Sequence, residues 1–164
     1  MDSIDTFNKL NKSEFLSTFG NVFEKTEWIA EKCYDSKPYN NVQELVNKMM
    51  EVFENSIKEK HLKILNSHPD LAVKKKLTKE SESEQANANL NQCTNKEFEE
   101  FNKLNEKYKK KFGFPFIIAV KGKNKNEILN IFRQRITNNI NLEFEEAKKQ
   151  VKKIATFRLS AIIK

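Results

Sequence analysis

Residues 94–122 read TNKEFEEFNKLNEKYKKKFGFPFIIAVKG. The two ends of this stretch obey different rules, and the contrast decides the fold. Thr94 followed by Glu97 is a capping box, in which each side chain can accept the other residue's backbone N–H. Phe98, Phe101, Leu104, Tyr108 and Phe112 then recur at three- and four-residue steps, an apolar stripe along one helix face. From Phe112 the pattern stops. FGFPFIIAVKG, residues 112–122, is a continuous apolar run interrupted by Pro115 and bounded by Gly113 and Gly122. Proline removes a backbone donor and clashes with the preceding turn, so this run is no ordinary amphipathic helix. An extended stretch packed inside a helical bundle is expected.

The rest of the chain repeats the helical half. Val42, Leu45, Val46, Met49, Met50 and Phe53 share one face, and Asn124 caps a helix that turns Ile128, Leu129, Phe132 and Ile136 inward. The last helix carries Ala147, Val151, Ile154, Ala155 and Ile162 on one side. Phe15, Leu16 and Phe19 lead to a helix stop at Gly20, and Trp28, Ile29 and Cys33 continue the next helix towards Pro38. Three glycines and three prolines in 164 residues leave little punctuation for a β-rich fold. No linker, repeat or low-complexity tract divides the sequence. The expected architecture is all-α: a single-domain multi-helix bundle over residues 1–164, with the short FGFPF segment as its one extended piece.

Composition bounds the chemistry. With 38% hydrophobic residues and 13 Phe, the chain can bury a core without metals or disulfides. Cys33 and Cys93 are scattered, which fits a reducing compartment. No segment approaches the roughly 20 apolar residues of a membrane span. The start MDSIDTFNKL has no signal-peptide core, and the end AIIK is no peroxisomal address, so a soluble cytoplasmic protein is expected. Of thirty Lys and Arg residues only Arg133, Arg135 and Arg158 are arginine, and the lysines mingle with acids. The net charge of +7 therefore reads as a solvated Lys- and Asn-rich surface. The rival reading is a basic helical nucleic-acid-binding module, using KKK at 74–76 and KYKKK at 107–111, with affinity that falls steeply as salt rises.

Three polar placements ask for a reason. His68 precedes Pro69, which disfavours helical geometry at the residue before it. His68 should therefore end the helix 57–66, where it could serve the helix dipole or point into a pocket as a proton-transfer group. Arg158 lies four residues after Ile154 and seven after Val151, on the apolar stripe of the last helix. A permanent charge there needs either a carboxylate partner or an anionic ligand. In LTKESESEQANANL, residues 77–90, Thr78 or Ser81 can cap a helix whose first turns are acidic. Capping alone explains that run. Ser81 and Glu84 also project from one face, with Ala88 completing it, and could bring a hydroxyl and a carboxylate to a site. There is no Gly-rich phosphate loop, no nucleophile elbow and no Cys/His ligand spacing, so no metal site is expected.

SHPDLA at 67–72, ESESEQ at 80–85, FGFPFIIAVKGKNKNEIL at 112–129 and KKIATFRLS at 152–160 together resemble one family, and in the same order. It is the 2-oxo-4-hydroxy-4-carboxy-5-ureidoimidazoline (OHCU) decarboxylases of the uric acid degradation pathway. LNKSEFLSTFGNVFEKTEWIAEK and KPYNNVQEL have that family's character too, so the resemblance covers nearly the whole chain.

The resemblance implies an all-helical, homodimeric carboxy-lyase that uses no cofactor and turns OHCU into (S)-allantoin and CO2. Its partner is then a small anionic ureidoimidazoline substrate, with neither nucleic acid nor membrane. It places the catalytic pair on His68 and Glu84. Substrate contacts fall on Pro69, Ser81 and Arg158, and on backbone groups of Phe116, Ile117 and Ile118. A scaffold that keeps the fold without catalysis is the other alternative.

Overall fold

Capping residues and apolar stripes set nine α-helices among the residues described by a computed structural model, 3–73 and 76–164. In chain order these are α1 (Ile4–Lys9), α2 (Lys12–Phe19), α3 (Glu27–Asp35), α4 (Val42–Glu54), α5 (Lys58–Asn66), α6 (Lys79–Asn87), α7 (Asn95–Phe112), α8 (Lys125–Arg135) and α9 (Ile140–Ile163), with a 3-10 turn at Leu90–Gln92. No strand occurs among the described residues, so the protein is all-α. Lys74 and Lys75 of the KKK run lie outside the described residues.

The helices gather into two compact units, one running up to Ser67 and including Lys152–Lys164, the other His68–Val151. In the first, Leu45, Met49 and Phe53 of α4 are buried at four-residue steps, while Val42, Val46 and Met50 flank them half-buried. Phe23 stacks on Phe53 with ring centres 5.1 Å apart, and Phe15 and Phe19 sit 4.7 Å apart on α2. Gly20 does follow α2, in right-handed rather than left-handed geometry. His61 belongs to this core, its Nε2 2.6 Å from the Phe53 carbonyl.

The second unit is built on α7. The capping box at its start is present in full, Glu97 N–H donating to Thr94 and Thr94 N–H to Glu97. Its end is Gly113 at φ +81°, a left-handed cap that only glycine adopts without strain. Asn124 and Glu127 form a second capping box on α8. Between them residues 115–120 form neither helix nor strand, and Phe114 through Val120 are all buried. The buried face of α7 differs from the sequence reading in one position. Phe101, Asn105, Tyr108 and Phe112 are buried, whereas Phe98 and Leu104 are half-buried. An asparagine thus occupies the middle of an otherwise aromatic stripe. Ile162 on α9 is likewise half-buried.

Candidate active site

His68 stands two residues beyond α5, after the cap Ser67, and is only 8% exposed. Pro69 and Asp70 follow, half-buried, and then the buried pair Leu71 and Ala72. Ala72 has φ +55°, a left-handed conformation that a side chain disfavours, so the turn must be held from outside. Four side-chain bonds hold it. Gln85 accepts the Ala72 N–H at 3.1 Å and donates to the Asp70 carbonyl at 3.2 Å. Asn105 donates to the Leu71 carbonyl at 3.0 Å, and Lys109 pairs with the Asp70 carboxylate at 2.7 Å. Buried peptide groups outside regular structure need partners, and here side chains provide them.

Gln85 belongs to α6, the helix of Ser81 and Glu84. Of the two proposed caps Thr78 is the one used, accepting the Ser81 N–H at 3.3 Å. Ser81, Gln85 and Ala88 form the buried face and Glu84 lies half-buried beside them. The same glutamine therefore fastens the loop of His68 and Pro69 to the helix of Ser81 and Glu84. Sequence reasoning passed over Gln85 and Asn105, although both sit on stripes that are otherwise small or apolar.

A separate set of bonds holds the buried run at 116–119. The Ile117 carbonyl accepts from Arg135 Nη1 at 2.6 Å, and the Ala119 N–H donates to Gln150 Oε1 at 3.0 Å. Arg135 is buried and grips the fully buried Glu143 through Nε and Nη2 at 3.0 Å. Asn138 donates to the same carboxylate at 3.1 Å, and the Tyr108 hydroxyl donates to it as well. Burial, reinforced by that bond to a carboxylate, holds the Tyr108 hydroxyl well above the ordinary phenol range. Phe116 lies flat on Phe132 with ring centres 3.8 Å apart, and the Arg135 guanidinium sits 4.4 Å over the Phe116 ring.

Arg158 belongs to the first unit. Its guanidinium is buried, with Nη1 2.8 Å from the Asn21 carbonyl and Nη2 3.5 Å from the fully buried Glu24 carboxylate. A carboxylate partner, one of the two needs foreseen for it, is therefore met, by an acid in the α2–α3 connection.

Among the described residues no group of three or more His, Cys, Asp and Glu could hold a metal ion, and no helix is long and apolar enough to cross a membrane. Of the lysines at 107–111, Lys109 is paired with Asp70 and Lys111 donates to the Ile136 carbonyl at 2.8 Å.

Comparison with known proteins points one way. A family model described as OHCU decarboxylase matches residues 8–160. The chain is 42% identical over 164 residues to the uric acid degradation bifunctional protein of Bacillus sp. (strain TB-90), covering all of this chain and 33% of that one. It is 36% identical over 158 residues to the 2-oxo-4-hydroxy-4-carboxy-5-ureidoimidazoline decarboxylase of Haloferax volcanii, covering 96% and 94% of the two chains. The chain thus spans about a third of the bifunctional relative and nearly all of the haloarchaeal one. Among solved structures it is similar to an (S)-allantoin synthase, with a TM-score of 0.74 and 28% identity over 98% of this chain and 54% of that one. A crystal structure of OHCU decarboxylase in the presence of (S)-allantoin has the same fold, with a TM-score of 0.69 over 92% of this chain and 97% of that one. The chain belongs to the OHCU decarboxylase family.

Proposed function

We propose that the protein is a carboxy-lyase converting OHCU to (S)-allantoin and CO2 in urate breakdown, with His68 and Glu84 as its catalytic pair. The observation that carries the reading is Gln85, which ties the His68–Ala72 loop to the helix bearing Ser81 and Glu84. A buried histidine in a loop that is tied to a serine- and glutamate-bearing helix suits positioned proton transfer. The family membership and the relatives named above support the substrate class.

The chemistry divides into two proton steps around one bond cleavage. The ring carbon bearing the hydroxyl loses its carboxylate, and the C–C pair flows into the adjacent C=N bond as CO2 departs. The nitrogen gains a proton, leaving an enol. Loss of the enol O–H proton and delivery of a proton to the neighbouring carbon, on one face, give the carbonyl and the stereocentre. One proton is taken up per CO2 released. Because the substrate carries its own electron sink, the reaction needs no cofactor to supply one. His68 holds or removes the hydroxyl proton, and Glu84 bonds ring or ureido N–H groups. Ser81 fixes the ureido end, Pro69 contacts the substrate, and the backbone of Phe116, Ile117 and Ile118 supplies a dry wall with peptide partners. The resemblance also assigns Arg158 a contact with an anionic group of the substrate. The same reading makes the protein a homodimer, which light scattering on the purified chain tests directly, and places it in the cytoplasm.

The deciding assay follows (S)-allantoin by circular dichroism while urate oxidase and the following hydrolase generate OHCU in place. The expected result is a faster, single-handed rise of signal. A rise no faster than spontaneous decay would leave a scaffold or a basic binding module in its stead.

A further inference from the structure

The Ile117 carbonyl and the Ala119 N–H are each taken by a buried side chain, and neither bond belongs to a helix or strand. Across a planar trans peptide the C=O of one residue and the N–H of the next point in opposite directions, so the bond to the Ile117 carbonyl also sets the Ile118 N–H, and the bond to the Ala119 N–H also sets the Ile118 carbonyl. The N–H and C=O of the buried Ile118 therefore each point away from the side chain that clamps their peptide.

The carbonyl clamp is costly to build. Arg135 and Glu143 are both buried, and a buried ion pair repays its desolvation only when its geometry is excellent and the remaining lone pairs are met. Those conditions hold, because Glu143 receives Arg135, Asn138 and the Tyr108 hydroxyl. Yet one guanidinium N–H is directed away from the carboxylate, to a peptide carbonyl 18 positions earlier in the chain. Aliphatic packing would serve stability as well. A planar fork that grips a carboxylate on one side and a carbonyl on the other does something packing cannot: it sets the position of a backbone.

We infer that Arg135, with Gln150, is a positioning residue that fixes the 117–119 backbone so that Ile118 presents its peptide groups to the substrate. The inference rests on the decarboxylase reading for what is presented, but not for the clamp itself. Arg135 touches no substrate and acts through Ile117.

The test compares Arg135→Lys and Gln150→Met with wild type in two measurements. Kinetics with OHCU generated in place should show KM raised about tenfold, the factor one hydrogen bond of ordinary net strength supplies, with kcat close to wild type. Amide hydrogen exchange should accelerate at Ile118 and Ala119 in both variants. Leu45→Ala, a cavity in α4 remote in sequence from both bonds, supplies a loss of stability that should leave KM and this exchange unchanged. If both variants keep wild-type KM, or if exchange at 118–119 is unaltered, the positioning role is wrong. A wild type without activity would sink the decarboxylase reading alone, since the exchange arm still decides whether the clamp exists. Should Arg135→Lys fail to fold, Gln150→Met carries both readouts.

Discussion

The Gln85 side-chain oxygen lies 3.1 Å from the amide nitrogen of Ala72, a residue whose φ of +55° its own side chain disfavours. With the second bond to the Asp70 carbonyl, one amide closes the turn that follows His68. Gln85→Leu keeps the volume but strands both peptide groups. It should cost about 1–3 kcal/mol in urea unfolding and lower turnover. Gln85→Glu keeps the acceptor for Ala72 but turns a buried carboxylate oxygen towards the Asp70 carbonyl, so it should be destabilised too, and less so at acidic pH where the carboxyl can donate. Equal stability and activity in Gln85→Leu would show that the loop holds itself.

His68→Asn and Glu84→Gln change the proton chemistry with little change in shape. Each should remove most of the stereospecific decarboxylation, by a factor on the order of 10²–10⁴ for a lost acid–base group, while melting within a few degrees of wild type. Wild-type turnover by His68→Asn on freshly generated substrate would remove it from the mechanism.

Arg158 serves Glu24 whatever else it does. Removing the cation by Arg158→Met takes the guanidinium away from a fully buried carboxylate and should destabilise by up to about 3–5 kcal/mol. The double variant Arg158→Met/Glu24→Gln should recover much of that loss. Arg158→Lys keeps charge but not the fork, so unchanged KM and kcat in this variant would make the arginine purely structural.

Alkaline pH should unfold the protein through groups that hold their protons too tightly when folded. Burial pushes the Cys33 thiol up to about 12, and burial likewise holds the Tyr39 and Tyr108 hydroxyls above the ordinary phenol range. The unfolded chain releases these protons first, at ordinary values, so their contribution is complete below about pH 8.5 and shrinks above it. Each group then removes about 1.4 kcal/mol per pH unit until its folded form also ionises. Urea midpoints between about pH 8 and 10.5 should fall accordingly, and Cys33→Ala should flatten the slope by one proton.

Helix existence was plain from the sequence because capping chemistry and apolar spacing are local. Thr94 and Glu97, Asn124 with Ile128, Leu129 and Phe132, and the failure of the pattern at Pro115 all reflect rules acting within a few residues. The candidate site was legible where a residue is locally unreasonable, as a histidine before proline or an arginine on an apolar stripe. Arg135 met the same criterion, three residues after Phe132 and seven after Ile128, and was overlooked. Glu143, Gln85 and Asn105 are a different matter. Their roles come from partners 8, 13 and 34 positions away, and no local pattern announces a side chain that serves a distant peptide group.

Helix α7 also has an implication for how this protein can change. It holds Leu71 through Asn105, Asp70 through Lys109 and Glu143 through Tyr108, all within five consecutive positions. An inserted or deleted residue upstream in the helix would rotate everything beyond it by about 100° and detach all three at once. Length variation should therefore be barred from this helix in any functional library, however freely single side chains on its solvent face are exchanged.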